Sequence, residues 1–250
     1  MARSLYGKPS YTVFTMKSAI VPGGTEITVL AGGAVVPGLN YVAAAFRKQT
    51  GHIIKIAHVG VEAIKRMDDG EVFDVVVHPR DNLEQFFRPA GKVEEGGIGI
   101  GRVGVGVMVR PGAPIPDMSS AEALKRAVFG AESILYTTAA SGRYVEGMLR
   151  KIGIYEQAQA KTTRYPHGPE LMDRVLSGRG KEFGFLPITE ILTYKEKGIM
   201  LVGPLPEELQ HYLDFMAVPS TQSTNKDVAW EFARFCAGPG KPLLVAHGVD

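Results

Sequence analysis

Cysteine is almost missing from this chain. Cys236 is the only one in 250 residues, which excludes an intramolecular disulfide and any Cys-based zinc cluster. It sits in Trp230-Glu231-Phe232-Ala233-Arg234-Phe235-Cys236, where it reads as a small buried apolar residue. Excess charge is missing too. The 28 Lys and Arg against 26 Asp and Glu leave a net +2, with no basic run or basic-aromatic stripe, so no nucleic-acid partner is expected. Long apolar runs are absent near the start. Between Met1 and Glu26 the longest candidates, Val13-Phe14 and Ala19-Ile20-Val21, are broken by polar residues, Pro22 and glycines. Neither a secretory signal nor a membrane insertion is expected. The chain as written reads as cytoplasmic, or as periplasmic where a native leader has been removed.

Signatures of cofactor chemistry are also lacking. No Walker loop, H-E-x-x-H, G-x-S-x-G or EF-hand pattern occurs, so no cofactor and no metal is expected. Gly99-Ile100-Gly101-Arg102-Val103-Gly104 matches G-x-G-x-x-G, but a Val/Gly strand (Val103 to Val109) follows it instead of a helix. It reads as glycines in a strand crossing between lobes, not as a nucleotide site.

What is present is alternation. Ile27-Thr28-Val29-Leu30-Ala31 predicts a buried strand ending in Gly32-Gly33, and Pro37 opens a helix with Leu39, Val42, Ala43 and Phe46 on one face, closed by Gly51. Ile53 to Ala57 predicts a strand, Val61 to Asp69 a helix capped by Gly70, and Phe73 to Val77 a third strand. Strands and helices alternating at this spacing imply right-handed βαβ units and a parallel sheet. A second unit follows a linker marked by Pro111, Pro114 and Pro116. It holds a capping box at Ser119-Ser120-Ala121-Glu122, a strand at Ser133–Tyr136, a helix from Pro169 to Ser177 and a strand at Glu182–Leu186. Leu213 to Val218 then reads as a strand returning to the first unit, where helices at Asn225–Ala237 and Lys241–His247 pack. The expected architecture is an α/β fold of two lobes, each a mostly parallel sheet flanked by helices. Residues 1–26 form an N-terminal extension, 27–109 with 205–250 the first lobe and 110–204 the second. A ligand cleft lies between them.

Thr137-Thr138-Ala139-Ala140-Ser141-Gly142-Arg143-Tyr144 carries the strongest chemical signal. A short strand gives way there to a small-residue turn and a helix, presenting hydroxyls and unpaired N–H groups at the positive end of a helix dipole, a seat for an anion. Ser141 is the expected N-cap. Arg143 in the first turn opposes the dipole, which argues that a ligand needs it. His58 and His78 fall just past the ends of the second and third strands, and His167 and Gly168 lie in Tyr165-Pro166-His167-Gly168-Pro169 before a helix. Strand carboxyl ends face the crevice of an open α/β sheet. Three imidazoles converging with Arg80 and Arg143 favour a multivalent carboxylate and allow proton transfer.

From Ile27 to Val249 these residues resemble the type II periplasmic solute-binding proteins, most closely their molybdate-binding branch. The likeness lies in the first strand, in Ala45-Phe46-Arg47-Lys48-Gln49-Thr50-Gly51 and in Asp68-Asp69-Gly70-Glu71-Val72-Phe73-Asp74-Val75. It continues in Ser141-Gly142-Arg143-Tyr144 and in Phe232-Ala233-Arg234-Phe235-Cys236-Ala237-Gly238-Pro239. The resemblance implies a small anionic ligand held by the turns at Gly32, Gly33, Gly60, Val61, Thr138, Ser141 and Gly142, and an ABC permease as partner in a transport role. It also implies two serines and a tyrosine gripping the oxyanion. Those positions fall on Ala34, on Gly60 or Val61, and on Pro187, so molybdate is not the expected ligand. A di- or tricarboxylate binding protein is the first reading, because it requires only the fold. The branch also includes aconitate-isomerase-like enzymes, so the alternative is a cytoplasmic isomerase with His78 or His167 moving a proton. An effector-binding regulator would need a helix-turn-helix, which the first 26 residues are too short and glycine-rich to supply.

Overall fold

The computed structural model describes residues 24–250. The N-terminal extension read at 1–26, and with it the segment searched for a leader, lies outside the described residues up to residue 23. Three βα units come first: β1 (Glu26–Ala31), α1 (Val36–Thr50), β2 (Ile53–His58), α2 (Ala63–Asp68), β3 (Val75–Pro79) and the short α3 (Arg80–Asn82). The long β4 (Ile98–Val109) leads to α4 (Ala121–Gly130), β5 (Ser133–Thr137), α5 (Ala140–Lys151), α6 (Tyr155–Gln159) and β6 (Thr162–Tyr165). Next come α7 (Gly168–Ser177), β7 (Glu182–Pro187), α8 (Ile188–Thr193), β8 (Met200–Pro204), β9 (Tyr212–Pro219), α9 (Lys226–Ala237) and α10 (Lys241–Ala246).

The strands run in the order β2-β1-β3-β9-β4-β7-β5-β6, with β8 also on β4. β1 pairs in parallel with β2 and β3, and β5 in parallel with β6 and β7, as the βα alternation predicts. The returning strand β9 lies antiparallel between β3 and β4. β4 serves both lobes: Ile98 to Gly104 pairs with β9, whereas Val105 to Met108 pairs with β7. The glycine motif lies inside this strand, where the register slips between Gly99 and Gly101 and Gly101 has φ +141°. That is a β-bulge that bends the crossing strand. A side chain at Gly101 would also meet Lys241 Nζ and the backbone of Asp250, so the chain terminus packs against the bulge.

Each lobe has a core on both sheet faces. In the first, Phe46 of α1 meets Phe232 and Phe235 of α9 edge-on, while Met67, Phe73 and Phe87 fill the other face. In the second, Tyr136, Val145 and Phe185 form one layer and Leu171, Leu186 and Ile191 the other. Local signals set two of the helix ends. Gly51 closes α1 in the left-handed conformation, at φ 82°, and Ser120 caps α4 by accepting from Ala123 N–H at 3.1 Å. No described helix is long and apolar enough to cross a membrane.

Candidate functional site

Six strand ends supply one cleft. Gly32, Gly33 and Ala34 follow β1; His58, Gly60, Val61 and Glu62 follow the end of β2; His78 and Asn82 come from β3 and α3. From the second lobe, Thr137, Thr138, Ser141 and Arg143 follow β5, His167 and Gly168 follow β6, and Pro187 and Glu190 follow β7. This is where parallel α/β units place helix N-termini and their unpaired N–H groups.

Two residues expected at the cleft do not line it. Arg80 is exposed outside, because the chain leaves β3 at Pro79 and starts α3 at Arg80, which ends the strand alternation that His78 obeys. Asn82 enters in its place. Gly142 is buried behind the cleft surface, where a side chain would run into the Thr137 carbonyl. Its part is to let α5 pack tightly against the end of β5. The N-cap of α5 is Ala139, without a side-chain bond, and Ser141 lies inside the first turn. Ser141 is 3 % exposed and lines the cleft, where the first N–H groups of α5 also lack helical partners. Beside it Thr137 Oγ1 is buried with no hydrogen-bond partner among the described residues. Tyr144 turns away from the cleft, donating its hydroxyl to Leu209 O at 2.8 Å and stacking on His211.

His78 is 3 % exposed and both its ring nitrogens are engaged, at 3.2 Å from Val59 O and 3.0 Å from Asn82 Nδ2. Burial pushes its pKa down to about 4, which keeps the ring neutral at ordinary pH. A neutral ring fits both neighbours in one tautomer: Nε2–H donates to Val59 O, and Nδ1 accepts from the Asn82 amide. The amide oxygen of Asn82 then accepts from Arg143 Nη2 at 2.6 Å, and Arg143 Nη1 donates to Thr138 O at 3.3 Å. His78 therefore anchors a relay that orients Arg143, and it has no free nitrogen with which to move a proton. The base expected at His78 is thus a ring engaged at both nitrogens, an arrangement suited to positioning Arg143. The relay spans the lobes, from β3 and α3 to α5. A second bridge, the buried Thr189 hydroxyl donating to Ala34 O at 2.6 Å, ties α8 to the β1–α1 turn.

The other imidazoles differ. His58 and His167 are exposed at the cleft mouth. Burial lowers the pKa of His58, and the neighbouring His167 lowers it further, while Glu62 opposes the shift. Glu62 itself accepts from Gly60 N–H at 2.8 Å. Glu190, in the first turn of α8, is the carboxyl that the sequence reading missed. Its Oε1 and His58 Nε2 border one small space, lying 3.0 and 2.7 Å from where a Gly33 Cβ would stand, and its other oxygen occupies the space that a side chain at Gly168 would need. Its carboxylate makes no hydrogen bond or ion pair to a described residue, and burial alone raises its pKa to about 7. Among the described residues, no group of three or more His, Cys, Asp or Glu side chains is disposed to hold a metal ion.

Comparison with known proteins bears on this architecture. A family model described as bacterial extracellular solute-binding protein matches residues 27–249. An aconitate isomerase from a Pseudomonas species is 26% identical over 220 residues, 85% of this chain and 82% of that protein. The periplasmic molybdate-binding protein of Azotobacter vinelandii superposes with a TM-score of 0.73 at 17% identity, covering 90% of this chain and 98% of its own. The sulfate-binding protein of Mycobacterium tuberculosis also gives 0.73, at 19% identity, over 90% of this chain and 86% of its own. At such identities the structural likeness establishes the two-lobed periplasmic-binding-protein fold and nothing finer.

Proposed function

We propose a ligand for the cleft from the premise that the chain belongs to the bacterial extracellular solute-binding protein family: a small di- or tricarboxylate, not a tetrahedral oxyanion. The observation that carries this reading is the charged donor Arg143, held over the α5 N-terminus by the His78–Asn82 relay. A planar guanidinium matches a carboxylate in bidentate geometry, with the N–H groups of α5 completing the seat. The positions that the molybdate-binding pattern reserves for gripping hydroxyls carry Ala34, Gly60 and Pro187, which offer no side-chain donor. His58 and His167, which line the cleft and are exposed, supply further donors for a second carboxylate. In a transport role the partner would be an ABC permease. A second reading, isomerisation of such an anion in the same cleft, is favoured by the 26% identity to aconitate isomerase.

A thermal-shift panel tests the ligand. At 100 times its dissociation constant a ligand stabilises by about 2.7 kcal/mol, which for a chain of this size is roughly 5–10 °C. Citrate or aconitate should give that shift and molybdate or sulfate none; the reverse pattern would overturn the assignment. The affinity should also depend on pH. Deprotonating Glu190 puts a negative charge beside an anion, and the nearby His58 is less cationic at higher pH. Affinity is therefore expected to fall as pH rises through about 7, with Glu190 alone contributing at most about tenfold per pH unit, the limit for one coupled proton. Calorimetry on either side of neutrality checks the sign.

A further inference from the structure

We propose that Glu190 is a catalytic residue that exchanges a proton with a carbon of the bound ligand. The inference rests on the reading above that the ligand is a polycarboxylate, and it names the group that would act on it. Three observations place Glu190 in this role. It lines the cleft in the first turn of α8, yet its carboxylate is bonded to no described residue, whereas Glu62 is occupied by Gly60 N–H. Its two oxygens lie against Gly33 and Gly168, where the absence of side chains leaves the carboxyl open to whatever occupies the cleft. His58 Nε2 borders the same space and is exposed at the mouth, which gives a proton on Glu190 a path to solvent. The buried His78 has both ring nitrogens engaged, by Val59 O and the Asn82 amide.

Chemistry at such a carboxyl is proton transfer at a carbon acid. In an unsaturated polycarboxylate the Glu190 carboxylate takes the proton from the saturated carbon beside the double bond. The C–H electron pair forms a new C=C bond, and the pair of the old C=C passes into the conjugated carboxylate, giving a dienolate. Arg143 and the α5 N–H groups stabilise the added negative charge there. Protonated Glu190 then returns the proton to the far carbon of the three-carbon unit, and the double bond has moved. Atoms and electrons balance with no oxidant or reductant. A carboxyl near half-ionisation at neutral pH, as burial makes Glu190, serves both as base and as acid.

The test uses the full chain with cis- and trans-aconitate in deuterated water, followed by NMR, alongside calorimetric affinities for both. The wild type is expected to isomerise aconitate or exchange its allylic C–H for deuterium. Glu190→Gln should lower that rate by roughly 10²–10⁴-fold while changing affinity much less. Its thermal midpoint should stay close to that of the wild type, because the amide fills the same space. A His78→Gln variant, which loosens the relay but leaves Glu190 in place, should weaken affinity more than turnover. Binding by the wild type without exchange or isomerisation, or undiminished turnover in Glu190→Gln, would overturn this inference alone. Absence of binding would overturn the ligand assignment, and this inference with it.

Discussion

Arg143→Ala is expected to weaken polycarboxylate binding by about 1.5–3 kcal/mol, roughly 10- to 150-fold, the range for a hydrogen bond to a charged group. The guanidinium is exposed in the cleft, so solvent screening keeps the loss below that of a fully buried pair. The same substitution strands Asn82, whose amide oxygen loses its 2.6 Å donor. Two further variants separate charge from position. Arg143→Lys retains the charge but not the fork, and should recover only part of the affinity. Asn82→Ala leaves the guanidinium intact but unheld, and should fall between wild type and Arg143→Ala. Calorimetry showing Arg143→Ala equal to wild type would remove the anion seat from the α5 end of the cleft.

The second large effect concerns the fold beneath the site. Asp74 is 6 % exposed and accepts from Thr28 N–H at 2.8 Å, from Ser223 Oγ at 2.6 Å and from Asn225 Nδ2 at 3.3 Å. Its backbone carbonyl also accepts from Ser220 N–H. One carboxylate thus fastens β1, the start of β3 and the turn between β9 and α9. Asp74→Ala leaves buried donors without partners and should cost roughly 2–4 kcal/mol, seen as a melting point about 5–15 °C lower. The Asp74 of the acidic-Gly-Asp motif is therefore structural. Its loss should lower the thermal midpoint and leave the affinity of the folded fraction nearly unchanged, which thermal melts combined with calorimetry will separate.

The parts of this molecule legible in the sequence are those with buried periodicity. β1, α1, β5, β7 and α9 each carry an apolar face that has to be covered, and their order implied two parallel-sheet lobes around a cleft. β6, Thr162 to Tyr165, gave no such signal, because an edge strand with exposed Thr163 and Arg164 shows no apolar run. α8 is six residues long, too short for a helical period to show, and Glu190 went unread with it. The position that marks His58 and His78, just past a strand's carboxyl end, applies equally to the residues after β7. It would have found Glu190 had it been extended to carboxylates. Burial of individual groups was the other illegible quantity. Nothing in Val77-His78-Pro79 distinguishes an imidazole locked between Val59 O and Asn82 from one open to a ligand, since those partners come from elsewhere in the chain. The same holds for Arg80 and Asn82, whose exchange of roles depends on where β3 turns into α3.

A crystal structure of the chain grown with an excess of a tricarboxylate, citrate or trans-aconitate, tests the central claim most directly. The account predicts one carboxylate within hydrogen-bonding distance of the Arg143 guanidinium and the first N–H groups of α5. The remaining carboxylates should point to the side of the cleft where His58, His167 and Glu190 stand. A cleft that stays empty under those conditions, or that instead takes up molybdate or sulfate on the α5 N–H groups, would contradict it.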